Sequence, residues 1–169
     1  LLFMGSELAP YEEWSHERAL PWALAAEPIR AAHGRFLADL GKLYLDSPAL
    51  WAADPDPQTF AWIDASDVES SVFSYIRRAG DSLLVVVQNL TPVARRGYQL
   101  GLPQAGRWEE VLNSDSEHYG GSNVGNQGAI VSDPSPFHGQ PASARLTLPG
   151  LGTIILRPAA ALGRRTRRA

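Results

Sequence analysis

Four carboxylates crowd one short stretch near the start of the chain: Glu7, Glu12, Glu13 and Glu17. A pair of carboxyl groups can break a glycosidic bond, one acting as acid and the other as nucleophile or base. That chemistry needs a fixed separation between the two groups, and spacing along a loop sets none, so this cluster is read as solvated. The run Gly120-Gly121-Ser122-Asn123-Val124-Gly125-Asn126-Gln127-Gly128 invites comparison with a phosphate-binding loop. It lacks the Gly-Lys-Ser/Thr ending and does not open an apolar helix. Serine, histidine and aspartate all occur, but without the Gly-x-Ser-x-Gly elbow of a nucleophilic hydrolase. The four histidines, His16, His33, His118 and His138, have no spacing that would set two on one helix face as metal ligands. The chain has no cysteine, which removes disulfides, thiolate sites and cysteine nucleophiles.

The aromatic residues suggest a different kind of site. Tyr11, Trp14 and Trp22 fall in one segment near the start, and Trp51, Trp62, Trp108 and Tyr119 beyond residue 50. A flat ring can stack on the apolar face of a sugar while nearby polar groups take its hydroxyls. Most tryptophans in an all-β domain are core, and Trp62 and Trp108 are assigned there. Trp14 stands open between core and sugar contact.

Two halves of the chain must position these groups. Leu1-Leu2-Phe3-Met4-Gly5 is a continuous apolar run, which suits a strand buried on both faces. Read alone, it is a strand cut from something larger. From Pro28 to about Ser47, Ile29, Ala32, Phe36, Leu37, Leu40, Leu43 and Tyr44 recur at spacings of three and four, a helical stripe with His33 at its edge. Pro28 suits the first turn, Glu27 puts a negative charge at the positive end of the dipole, and Pro48 stops continuation. Leu50 to Pro57 reads as a linker. Beyond it lie seven strand signals: Phe60 to Ile63, Ser71 to Arg77, Leu83 to Asn89, Tyr98 to Leu102, Trp108 to Leu112, Ala144 to Leu148 and Thr153 to Leu156. Short strands parted by Gly, Pro, Asp and Asn clusters indicate an antiparallel sandwich. Leu84, Val86 and Ile155 are expected to point inward, and Tyr119 to Pro141 to form one long loop.

Composition narrows the remaining classes. The 169 residues are 44% hydrophobic and 20% charged, a globular balance, with a formal net charge of -3. No general attraction to nucleic acid or to an anionic membrane is expected. Arg164, Arg165, Arg167 and Arg168 form a short basic tail, read as a frayed, solvated terminus. No apolar run approaches the roughly 20 residues that span a bilayer, and no secretory pattern is seen, so a cytoplasmic protein is the expectation.

Taken in order, several motifs resemble the branching enzymes of the α-amylase-like glycoside hydrolase family. Leu1 to Leu8 (LLFMGSEL) resembles the eighth barrel strand and its Gly-x-Glu exit. Glu13-Trp14-Ser15-His16-Glu17, with Leu20 and Trp22, is similar to the family's Glu-Trp-Asn-His-Asp segment. Phe60-Ala61-Trp62-Ile63 resembles the Gly-Phe-Glu-Trp strand, and Asn89-Leu90-Thr91-Pro92-Val93 the Asn-Phe-Thr-Pro-Val strand end. Leu112-Asn113-Ser114-Asp115 with Tyr119 to Asn126, then His138-Gly139-Gln140-Pro141 and Leu146-Thr147-Leu148-Pro149, resembles the family's carboxy-terminal signature. Ser15, Glu17 and Leu90 depart mildly from the pattern, and the tail from Ala159 has no counterpart.

The resemblance implies a mainly β chain: a C-terminal antiparallel β-sandwich over 51-158, preceded over 1-50 by the last β-α unit of an (α/β)8 barrel, with a basic tail over 159-169. It implies cleavage of an α-1,4 glucan and transfer of the segment to a 6-hydroxyl, a step of glycogen biosynthesis, by two displacements through a covalent glycosyl-enzyme. None of the family's three catalytic carboxylates matches a residue here, Glu7 included. Sites of such barrels lie at the carboxy ends of the strands, so the loop from Gly5 to Trp22 is expected to border the cleft. Glu7, Tyr11, Trp14 and His16 are then the candidate substrate contacts. The implied partners are α-glucan (glycogen, amylose) and the amino-terminal barrel of the same enzyme; no cofactor or metal is implied. Two other readings remain: a self-contained glucan-binding β module, which an exposed aromatic row would favour, and a piece of a related maltosyltransferase or hydrolase.

Overall fold

The structure, a computed structural model, describes residues 3–159. The basic tail from Arg164 and the residues Leu1 and Leu2 lie outside the described residues. Among the described residues eight strands follow one long helix: β1 (Phe60–Asp67), β2 (Val72–Ala79), β3 (Ser82–Asn89), β4 (Arg95–Leu102), β5 (Gly106–Asn113), β6 (Ala129–Ser132), β7 (Ala142–Leu148) and β8 (Gly152–Pro158). They form a six-stranded sheet in the order β1-β2-β3-β8-β5-β6 and a two-stranded sheet of β4 and β7. Every pairing is antiparallel. The chain is mainly β, as expected. All seven expected strands are present, and β6 is an eighth. It interrupts the stretch expected to be one loop, and its four residues pair with β5 from Gly106 to Glu109.

Helix α1 spans Pro28–Asp46, with Pro28 in its first turn. No strand precedes it among the described residues: Phe3 to Gly5 form a turn, and Ser6–Leu8 a single 3-10 turn. The strand expected at the start therefore finds no support among residues 3–5. The physical reason is that a barrel strand needs neighbours on both sides for its N–H and C=O groups, and none lies beside it among the described residues.

The two faces of the large sheet are buried differently. Val85, Val87, Ile154 and Leu156 meet Leu100, Leu102, Ala144, Leu146 and Leu148 of the small sheet, with Trp108 fully buried among them. The opposite face carries Leu84, Val86, Leu112 and Ile155, and on it rest Phe36, Leu40 and Leu43 of α1, with Ala49 and Leu50. Leu84, Val86 and Ile155 are thus buried, but under the helix and not between the sheets. This corrects the inward assignment and moves the helix from a separate β-α remnant onto the sheet. It also explains why Leu83 to Val87 is apolar at every position, since side chains alternate and both faces of β3 are covered. In β5 a bulge between Glu110 and Leu112 adds one residue, so Trp108 enters one core and Leu112 the other.

Candidate functional site

The loop from Gly5 to Trp22 keeps its charged groups in solvent. Glu7, Glu12, Glu13 and Glu17 are all exposed. Arg18 donates to the Glu12 carboxylate at 2.7 Å and to the carbonyl of Glu13 at 3.2 Å. These carboxylates are a solvated cluster with one arginine. The ring of Trp14 stacks on Phe3 with centroids 5.4 Å apart, and His16 lies 6.2 Å from Trp14. The cavity beside Trp14, lined also by Glu12, Glu13 and Arg18, is only ≈ 70 Å³, below the size that encloses a small-molecule ligand. Tyr11 faces a different place, a groove of ≈ 480 Å³ shared with Arg30, His33, Phe36, Ser114 and Tyr119. Of the four candidate contacts, Trp14 and His16 are therefore neighbours, Tyr11 lies in its own groove, and Glu7 lines neither cavity.

An aromatic surface that the sequence reading assigned partly to core stands on the outer face of β1 and β2. Phe60 and Trp62 are two residues apart on β1, as are Phe73 and Tyr75 on β2, and Trp62 is the register partner of Tyr75. The four rings form one cluster. Trp62 lies 5.0 Å from Phe60, 5.8 Å from Tyr75 and 6.1 Å from Phe73, and Phe60 lies 5.3 Å from Tyr75. Trp62 is 54% exposed, whereas Trp108 is 0% exposed. The core assignment holds for Trp108 and fails for Trp62. Period-2 alternation was the available signal: Ala61 and Ile63 pack inward, so Phe60 and Trp62 must face out. Helix α1 covers the centre of this same sheet face, leaving Phe60, Trp62 and Phe73 exposed beside it, while Tyr75 is half-buried against the cluster beneath the helix. The Arg77 guanidinium, held by Asp54 at 2.6 Å, gives the patch a polar border. Partial burial pushes the Tyr75 hydroxyl above its ordinary pKa, so it is a neutral donor and acceptor at physiological pH.

The glycine- and asparagine-rich loop is a knot of internal hydrogen bonds. Asn126 donates through Nδ2 to Glu110 at 2.6 Å and to the carbonyl of Thr147 at 3.1 Å, and accepts from the Thr147 N–H at 2.8 Å. Asn113 donates to Glu110 and to the carbonyl of Val124. The Asp115 carboxylate accepts from the N–H groups of Ser122 and Val124. A Cβ on Gly121 would collide with the carbonyl of Asp115, so only glycine permits this approach. These polar side chains tie the loop to itself and to β5 and β7.

Residues 62–159 match the family model described as the alpha amylase C-terminal all-beta domain. The chain belongs to that family. The chain is also similar, over most of its length, to longer proteins named 1,4-alpha-glucan branching enzyme GlgB. That of Cupriavidus necator is 49% identical over 160 residues, covering 93% of this chain and 21% of the relative. That of Cereibacter sphaeroides is 49% identical over 160 residues, covering 94% and 22%. That of Salinibacter ruber is 52% identical over 159 residues, covering 94% and 25%. The chain thus spans about a fifth to a quarter of the relatives it matches. Among the described residues no helix is long and apolar enough to cross a membrane.

Proposed function

We propose that this chain is the carboxy-terminal part of a 1,4-alpha-glucan branching enzyme, which cleaves α-1,4 glucan and rejoins the segment to a 6-hydroxyl. The observation that carries the reading is identity of 49 to 52% to proteins of that name, sustained over 93 to 94% of this chain. In this reading residues 1–50 supply the last strand, loop and helix of a barrel, and residues 51–158 the β domain. The strand at the start would form only against its barrel neighbours. The chemistry itself belongs to carboxylates outside this chain, because the acidic groups of the loop are solvated and matched to no catalytic role. The protein carrying this chain is assigned to the cytoplasm, where glycogen is made.

The β domain's own part is to hold glucan. The exposed rings of Phe60, Trp62 and Phe73, backed by Tyr75, support this, forming an aromatic surface with a polar border suited to the apolar faces of successive glucose rings. The test is native electrophoresis of the chain in gels with and without amylose. Retardation by amylose is expected, together with its clear weakening in Trp62→Ala at an unchanged melting temperature. Equal migration of wild type and Trp62→Ala in amylose would overturn the role given to this surface.

A further inference from the structure

Arg30 is 4% exposed although it sits on the first turn of α1. Its Nη1 donates to the carbonyl of Leu8 at 3.0 Å and also to the carbonyl of Ala9. Its Nε donates to the Glu27 carboxylate at 2.8 Å. The guanidinium carbon stands 4.4 Å from the centroid of the Tyr11 ring. Nη2 is buried with no hydrogen-bond partner among the described residues. A buried cation with an unused donor costs stability, so the value of this side chain lies in the geometry it imposes.

That geometry is specific. Ala9 has φ +45°, a left-handed backbone that a residue with a Cβ holds only where its surroundings require it. The guanidinium grips the carbonyls of Leu8 and Ala9, at the point where the loop departs, and so fixes the direction in which Pro10 and Tyr11 leave. Two residues on, Tyr11 is 91% exposed. Its ring has one face propped on the planar guanidinium and the rest in solvent, at the mouth of the groove that Ile29, His33, Phe36, Ser114 and Tyr119 also line. An exposed ring ordinarily samples several rotamers and pays their entropy when it binds. A ring already resting on a cation does not, and His33, Ser114 and Tyr119 bring polar groups for hydroxyls beside it.

We propose that Arg30 is a positioning residue that holds the Tyr11 ring as a second stacking surface for α-glucan, separate from the Trp62 cluster. The inference rests on the glucan reading above. Lysine is no substitute, because it lacks the planar fork that reaches two carbonyls while backing a ring.

The test titrates the 169-residue chain, with ¹³C-labelled tyrosine, phenylalanine and tryptophan rings, against maltoheptaose by NMR. In the wild type the ring signals of residues 11 and 62 should both shift. Arg30→Met should weaken the response at Tyr11 by about five-fold or more, the ratio expected for losing a cation–π support of ~1 kcal/mol, and Arg30→Lys should weaken it as well through the lost grip on two carbonyls, with the Trp62 response unchanged in both. Tyr11→Phe should keep the shift at position 11. Tyr11→Ala, which leaves the Arg30 bonds to Leu8 and Glu27 in place, should lose glucan contact in the loop while Trp62 still responds, and so keeps the test decisive should Arg30→Met misfold. A Tyr11 signal that stays still while Trp62 shifts overturns the inference and leaves the glucan reading standing. An undiminished Tyr11 response in folded Arg30→Met also overturns it. Silence at both rings overturns the inference together with the glucan reading.

Discussion

Asn126→Ala separates a structural loop from a chemical one. The substitution deletes three side-chain hydrogen bonds: to Glu110 at 2.6 Å, to the Thr147 carbonyl at 3.1 Å and from the Thr147 N–H at 2.8 Å. A neutral bond is worth about 1 kcal/mol net and one to a carboxylate about 1.5–3 kcal/mol, for a gross loss near ~4 kcal/mol. Asn126, Glu110 and Thr147 are half-buried, so water replaces part of what is lost, and the expected cost is about 2–3 kcal/mol. For a chain of 169 residues that corresponds to a fall of about 5–10 °C in melting temperature. Differential scanning calorimetry or far-UV circular dichroism reads the shift, and amylose retardation of the folded variant should be unchanged. A fall under about 2 °C would refute the assignment, and so would lost amylose binding at an unaltered melting temperature. Asn123 gives an internal contrast, because its φ of 59° makes its role one of backbone conformation. Asn123→Ala should cost about 1 kcal/mol and Asn123→Gly close to nothing.

Three further outcomes are expected. Burial, and then the hydrogen bond it donates to Asp39 at 2.9 Å, push the Tyr119 hydroxyl from 10.0 up to about 12; stability from this group is whole below pH 10 and is lost as pH rises through the folded value. Urea midpoints between pH 9 and 12 should therefore fall less steeply in Tyr119→Phe, and parallel profiles would refute the linkage. Trp108→Ala should cost about 3–5 kcal/mol by opening the core, while Trp62→Ala should stay within about 0.5 kcal/mol, both read by chemical denaturation. Finally, the chain alone should form no α-1,6 linkages when incubated with amylose and then digested with a debranching enzyme. New branches above a no-protein control would require a catalytic carboxylate pair among Glu7, Glu12, Glu13 and Glu17.

The strands were legible because each carries its own alternation and is fenced by turn residues, and the helix because its stripe keeps one period from Pro28 onward. What escaped was which neighbour covers which face. Leu84 and Val86 look like sandwich core in sequence, but nothing local says that the helix lies on their side while Val85 and Val87 meet the second sheet. β6 escaped because only four residues, Ala129–Ser132 between Gly128 and Asp133-Pro134, acquire strand geometry from the pairing with β5. Trp62 was misassigned on residue type although its alternation with Ala61 and Ile63 pointed outward. Arg30 left no trace in the sequence reading, since a lone arginine on a helix gives no sign that it reaches back across some twenty residues to a loop carbonyl.

The helix resting on the outer face of the large sheet bears on how this protein can be shortened. A linker-like stretch rich in proline and aspartate at 51–57 invites a cut there, as if a free-standing β module began at residue 51. Such a cut would strip the cover from Leu84, Val86, Leu112 and Ile155 and leave an apolar strip along the middle of the sheet, the kind of surface that drives self-association. A cut at Glu27, ahead of the helix, would instead leave the sheet its lid. By the same reasoning, a protease attacking the folded chain should nick the exposed segment from 10 to 19 first, and the product that survives digestion should carry the helix with it.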